Sequence, residues 1–152
     1  MAIENDNCVF CGILAGRIPA EIVYRDEQCV ALLDAFPLTR GHLLLIPLRH
    51  GQHIEDLPRE TVAHLFSVGG RFSAAWRRAQ VPATNLLINN GKAANQHVPH
   101  VHLHVIPRRP GDSLPLMWRY LTRFINPFAH LGRKERLARE AAQVRALIVA
   151  GL

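Results

Sequence analysis

The sequence predicts an α+β domain: a five-stranded, largely antiparallel sheet, one long helix, and a further helix near the C-terminus. Three observations carry this reading. Five short segments are dense in aliphatic residues and bounded by turn-forming residues. One stretch of more than twenty residues, between the third and fourth segments, carries apolar side chains at helical spacing. The chain has 152 residues, 49% of them apolar, which suits a single domain with a real core.

The elements follow in order. Cys8 to Ala15 reads as a short helix or turn, stopped by Gly16 and then by Ile18-Pro19. Glu21–Arg25 and Cys29–Asp34 read as strands joined by the turn at Asp26-Glu27. Asp34 stands at the exit of the second strand, before the loop 35–41. His42–Pro47 is a third strand whose near-continuous apolar run predicts cover on both faces. Asp56-Leu57-Pro58 reads as a helix start, with Asp56 as N-cap. Val62, Leu65, Gly69, Phe72 and Trp76 then recur on a helical period as far as Arg78 or Ala79. Gly69-Gly70 weakens that helix but admits close approach of another backbone. Phe66 and Trp76 place large apolar groups on more than one side of it. Thr84–Asn89 is the fourth strand. After Pro110-Gly111, Met117 to Ile125 is a helical stretch, and Arg133 to Ala150 is a clearer helix with Leu137, Ala141, Val144 and Ile148 on one face. Its other face, with Arg136, Arg139, Glu140 and Gln143, reads as solvated. There is no internal repeat, low-complexity segment or domain boundary.

Charge and cysteine usage narrow the function class. Residues 1–107 carry nine Lys/Arg and nine Asp/Glu, whereas residues 108–152 carry nine and three, so the whole net charge of +6 lies in the C-terminal part. That imbalance favours an anionic partner. A nucleic-acid polymer is the weaker choice, because no aromatic-interleaved basic motif is visible. No apolar run is long enough to span a membrane, and the polar N-terminus does not resemble a signal peptide, so a cytoplasmic protein is expected. Cys8-x-x-Cys11 is too closely spaced for a disulfide framework. It is half of a tetrahedral zinc site, a redox dithiol, or a pair of unrelated buried thiols. Cys29, in mid-strand, reads as a small apolar filler.

The fifth strand is the most informative stretch. In His100-Val101-His102-Leu103-His104-Val105-Ile106 three histidines alternate with apolar residues. On a strand the three imidazoles leave one face and Val101, Leu103 and Val105 the other. One or two histidines would suit an ordinary half-buried strand. Three in register point to metal binding or phosphate chemistry, with a solvated face as the bland reading.

This segment resembles the signature of the histidine triad (HIT) superfamily, His-φ-His-φ-His-φ-φ with φ apolar, at every position. Flanking blocks extend the resemblance: Cys8-Val9-Phe10-Cys11-Gly12-Ile13 with Gly16-Arg17-Ile18-Pro19-Ala20; Leu32-Leu33-Asp34, Pro37, Gly41-His42, Pro47 and His50; and Asn89-Asn90-Gly91 with Asn95-Gln96 and Val98. It covers about residues 8–109, leaving 110–152 as a helical extension of one domain spanning 1–152. The resemblance implies a HIT-like sheet, paired into a ten-stranded sheet in a homodimer. It also implies a nucleotide hydrolase or transferase acting at the α-phosphate, with a purine nucleotide or nucleotide conjugate as ligand. A non-catalytic nucleotide-binding regulatory dimer is the alternative, and a catalytic metal on His100, His102 and His104 is a third reading.

By the same resemblance His102 is the nucleophile, held by the backbone carbonyl of His100, and His104 bonds a phosphate oxygen. Asn89 and Gln96 are polar ligands of phosphate and ribose, Asp34 accepts the ribose hydroxyls, Phe10, Ile13 and Leu32 form the base pocket, and His42 supports the triad. His97 stands where many members carry Ser or Thr and is expected to act on the leaving group; Asn95 stands where Gly is common. Relatives with the cysteine pair imply one structural zinc on Cys8, Cys11, His50 and His100, with no organic cofactor. The entry segment is similar to Hint-type members, which cleave nucleoside phosphoramidates. Pro107-Arg108 with Gly111-Asp112 is similar to Fhit-type members, which cleave dinucleoside polyphosphates.

Overall fold

A computed structural model describes residues 7–122 and 133–149. The elements are α1 (Val9–Leu14), β1 (Ile22–Arg25), β2 (Cys29–Leu33), β3 (Leu43–Pro47), α2 (Arg59–Arg78), β4 (Ala83–Ile88), β5 (Leu103–Arg108), α3 (Ser113–Thr122) and α4 (Arg133–Val149), with 3-10 turns at Ile54–Asp56 and Lys92–Ala94. The sheet order is β1-β2-β3-β5-β4, antiparallel throughout. The expected five strands and long helix are therefore present. Residues 1–6, 123–125 and 150, which the sequence reading also covered, lie outside the described residues.

Side-chain alternation splits the core into two layers. Ala31, Leu33, Leu43, Leu45, Leu103 and Val105 face α2, packing with Leu65, Val68, Phe72 and Trp76. Val30, Leu32, Leu44 and Ile46 face the other way and pack with Cys8, Phe10, Cys11 and Ile13 around α1. β2 and β3 are buried along their whole length, as their unbroken apolar runs require. A Cβ on Gly69 would come within 3.0 Å of Leu103 Cδ2, so this glycine lets α2 settle on β5, whereas Gly70 meets nothing.

Several expectations are corrected. α2 begins at Arg59 with Pro58 as its N-cap residue, not at Asp56. Asp56 instead ends the preceding 3-10 turn, where its side chain accepts the His53 backbone N–H. Trp76 is core, while only Phe66 leaves the helix toward solvent. Glu140, read as part of a solvated face, is buried and accepts the Gly41 N–H at 3.3 Å. Cys29 is fully buried as expected, and burial together with the Asp26 carboxylate pushes its thiol up to about 12.

Gly41 needs to be glycine twice over. Its φ is +81°, and a Cβ there would lie 2.6 Å from Trp76 Cη2. This contact fixes the loop that carries His42 into β3.

Candidate active site and metal centre

The triad straddles the start of β5 instead of lying wholly within it. The ladder with β4 ends at the Ile88–Leu103 pair. Upstream of that pair, Val101 N–H donates to Gly51 O in the loop after β3. The chain stays alternating, so the three imidazoles still share the face of Leu44 and Ile46, and all three are buried.

Each histidine is oriented by a different partner. His102 Nδ1 lies 2.8 Å from the carbonyl oxygen of His100. A carbonyl only accepts, so Nδ1 carries the proton and Nε2 presents its lone pair. His42 Nδ1 accepts the Leu38 backbone N–H at 3.2 Å, so the His42 proton sits on Nε2, 3.0 Å from His104 Nδ1. His104 therefore accepts through Nδ1 and carries its own proton on Nε2, as a donor. The Phe10 ring stands edge-on to His102 at 5.1 Å and to His100 at 5.9 Å, while His102 and His104 lie 4.8 Å apart.

His102 and His104 open into a cavity of about 640 Å³. Phe10, Ile13 and Leu32 line it as well as packing in the α1 layer, so pocket and core readings hold together. Asp34 lines it too: Oδ1 accepts the Phe36 N–H at 2.8 Å in a tight turn, and Oδ2 lies 3.5 Å from His42 Nδ1. Asn89 and His97 line the opposite end, beside Asn95, whose backbone oxygen accepts from Asn89 Nδ2 at 3.4 Å. Gln96 is not among the lining residues. Its amide closes the preceding loop, accepting from Gly91 N–H at 2.7 Å and donating to Gln52 O at 2.7 Å. His42 sits behind His104 and outside the cavity wall.

His100 faces away from the cavity and into the cysteine pair. Its Nε2–H donates to Pro47 O at 3.1 Å, so Nδ1 offers a lone pair. That Nδ1 lies 3.5 Å from Cys8 Sγ, 3.7 Å from Cys11 Sγ and 3.3 Å from His50 Nδ1, and Cys11 Sγ lies 3.4 Å from His50 Nδ1. A tetrahedral ion with bonds of about 2.3 Å to sulfur and about 2.0–2.1 Å to nitrogen would hold its donors roughly 3.3–3.8 Å apart. The four separations match those edges, and all four ligand atoms lie within 4.8 Å of one another, so these side chains can hold a metal ion. The bond to Pro47 is the outer partner that fixes the tautomer of a ligating histidine. Burial pushes the His100 imidazole down to about 4, which keeps it neutral for ligation. The triad does not converge on a common point, which counts against a catalytic metal shared by His100, His102 and His104.

The sequence reading missed Arg133 and Lys134, which line the same cavity from the start of α4. No local pattern marks them, since they lie about a hundred residues from Asp34; the basic C-terminal skew was the one available signal.

A model of the HIT domain matches residues 15–111. The chain is 47% identical over 108 residues to an uncharacterised HIT-like protein of Mycobacterium tuberculosis, covering 70% of this chain and 75% of the relative. It is 42% identical over 113 residues to an adenylylsulfatase of Arabidopsis thaliana (74% and 57% covered). It is 37% identical over 106 residues to an adenosine 5′-monophosphoramidase of Saccharomyces cerevisiae (70% and 65% covered). The crystal structure of a zinc-bound histidine triad family protein from Mycobacterium smegmatis superposes with a TM-score of 0.77 at 39% identity, covering 95% of this chain and 94% of that one.

Proposed function

The chain belongs to the HIT family, and from that premise we propose that it is a nucleotide hydrolase or transferase working through a nucleotidyl-His102 intermediate. The observation that carries this is the His102 tautomer: the bond from Nδ1–H to His100 O leaves the Nε2 lone pair beside a cavity of nucleotide size. Neutral imidazole is a good nucleophile near neutral pH. In the first step Nε2 attacks the α-phosphorus, the P–N bond forms, and the bond from phosphorus to the leaving group breaks. In the second, water attacks the same phosphorus, the P–N bond breaks, and a nucleoside monophosphate leaves. His104 donates from Nε2–H to the phosphoryl oxygen that gathers charge. His97, exposed at the far end of the cavity, protonates the departing group.

The substrates are nucleoside phosphoramidates or dinucleoside polyphosphates. Two relatives whose names carry an adenylyl or adenosine monophosphate unit, with different leaving groups, support a site that holds the nucleotide half. Asp34 accepts the ribose hydroxyls, Phe10, Ile13 and Leu32 hold the base, Asn89 contacts the phosphate, and Gln96 acts by closing the loop beside it. Cys8, Cys11, His50 and His100 would hold one zinc ion, which would supply a structural link between α1 and the triad and take no part in the displacement. A homodimer joined through the β4 edge is supported by the exposed Leu87 on that strand and by Phe66.

The test is mass spectrometry of protein mixed with an adenosine phosphoramidate. An adduct of adenylyl mass on the peptide containing His102 is expected, and is lost in His102→Ala along with turnover. Parent-rate hydrolysis by folded His102→Ala would refute the mechanism.

A further inference from the structure

The cavity is asymmetric about His102. One end is polar, with Asn89, Asn95 and His97; the other is apolar, with Phe10, Ile13 and Leu32, and is bordered beyond Asp34 by Phe36 and the start of α4. A nucleotide with its phosphate at His102 and its ribose at Asp34 directs its base toward this second end.

Arg133 stands at that end in an unusual state. Its guanidinium lies 5.0 Å from the centroid of the Phe36 ring, the distance of a cation–π contact. Its Nη1 is buried and makes no hydrogen bond among the described residues. A buried guanidinium donor without an acceptor is costly, and a ligand that supplies the acceptor removes that cost. Lys134 lines the same end, adding a second donor.

We infer that Arg133 reads the edge of the nucleobase and selects 6-oxopurine nucleotides, of the guanine or hypoxanthine type, over adenine nucleotides. This rests on the nucleotide reading of the site and adds its base preference. Donors and acceptors match for one base class. Guanine presents O6 and N7 as adjacent acceptors, which a guanidinium engages in a bidentate pair. Adenine presents N7 beside an N6 amino group, so a second arginine N–H there meets another donor. A second phosphate on the ribose would be an alternative partner for Arg133, but the Asp34 carboxylate at that position repels it. The contact with Phe36 at 5.0 Å restrains the guanidinium and reduces the cost of ordering it against a ligand.

The experiment is calorimetric titration of the parent protein and of Arg133→Met with guanosine, inosine and adenosine 5′-monophosphates. Arg133→Met keeps an unbranched apolar stem against Phe36, and circular dichroism checks its fold. In the parent, guanosine and inosine monophosphates are expected to bind roughly tenfold or more tighter than adenosine monophosphate, the lower range of bidentate discrimination. In Arg133→Met that ratio falls to near one; if this variant does not fold, Arg133→Lys, which keeps charge but not the fork, is expected to reduce the ratio. Equal binding of all three by the parent, inosine monophosphate behaving like adenosine monophosphate, or an unchanged ratio in the folded variant overturns the base-reading role alone. Binding of none of the three overturns the nucleotide reading as well.

Discussion

Replacing His42 with Phe is expected to lower kcat by about 10–100-fold while KM stays within roughly threefold, the scale seen when an outer partner of a working histidine is removed. His42 is fully buried and outside the cavity wall, so it makes no substrate contact itself, and Asp34, whose Oδ2 lies 3.5 Å from its Nδ1, stays held by the Phe36 N–H at 2.8 Å. Two hydrogen bonds are lost, from Leu38 N–H at 3.2 Å and to His104 at 3.0 Å. Each loss in a buried setting costs about 1–3 kcal/mol, for a total destabilisation of about 2–6 kcal/mol; phenylalanine fills most of the volume, so little cavity cost adds to it. The kinetic effect arises because nothing then holds the His104 proton on Nε2. Complete loss of one donor to a developing oxyanion costs about 100–1000-fold, and the expected figure is smaller because Nε2 still carries the proton part of the time. His42→Gln restores an amide N–H near the Nε2 position and should recover most of the rate. The assay is steady-state hydrolysis of an adenosine phosphoramidate below the melting transition of each variant. Folded His42→Phe with the parent kcat would refute the role of His42 in holding the His104 proton.

Protein made with zinc supplied should carry one zinc per chain by elemental analysis, and Cys11→Ser should lose it; zinc-free parent protein under those conditions would remove the metal assignment. In metal-free protein, His100 binds fewer protons folded (about 4) than unfolded (about 6.5), so its contribution is complete above pH 6.5 and is lost as pH falls toward 4. About 3 kcal/mol should disappear over that window in urea melts, and a His100→Asn variant should lack the slope. Asp34→Asn should shrink the preference for ribo- over 2′-deoxyribonucleotide substrates, expected at roughly tenfold in the parent; equal kcat/KM for both sugars in the parent would reduce Asp34 to its turn bond with Phe36. Light scattering should give a dimer mass at micromolar concentration, and a monomer mass would contradict docking through β4.

The parts of the molecule legible in the sequence are those governed by local periodicity. The runs at Cys29–Leu33 and Leu43–Pro47 are continuous because both sheet faces are covered, and they are buried at every residue. Gly69 was readable as a close-approach position because a glycine on the apolar stripe of a helix costs stability without such a contact. Other features were decided by partners that periodicity does not reveal, near or distant in sequence. Glu140 lies on the polar side of its own helix by composition, yet Gly41, 99 residues away, draws it inward. Arg133 reads as one cation among many until Phe36 and the cavity wall are placed beside it. Asp56 has the right chemistry for an N-cap, but His53 and the 3-10 turn claim its side chain first. Gln96 was assigned to the ligand by resemblance, whereas both ends of its amide are bonded to the loops at Gly91 and Gln52.

The triad shows this most fully, because three identical residues at one spacing have their protons placed by three different partners, on Nε2 in His100 and His104 and on Nδ1 in His102. Strand periodicity puts the rings on one face and says nothing about which nitrogen holds the proton. Pro47 O sets His100, the His100 carbonyl sets His102, and His42 sets His104. His100 is thus shared between two centres: its ring faces Cys8, Cys11 and His50, while its backbone oxygen fixes the tautomer of His102. A metal held by that ring would anchor the peptide whose carbonyl orients His102, without coming between His102 and the cavity. On this geometry, loosening the cysteine cluster should reach His102 through one residue and lower its rate of attack, and should weaken the cavity through Phe10 and Ile13 on α1, while Asp34 and Leu32 stay fixed by β2 and its exit turn.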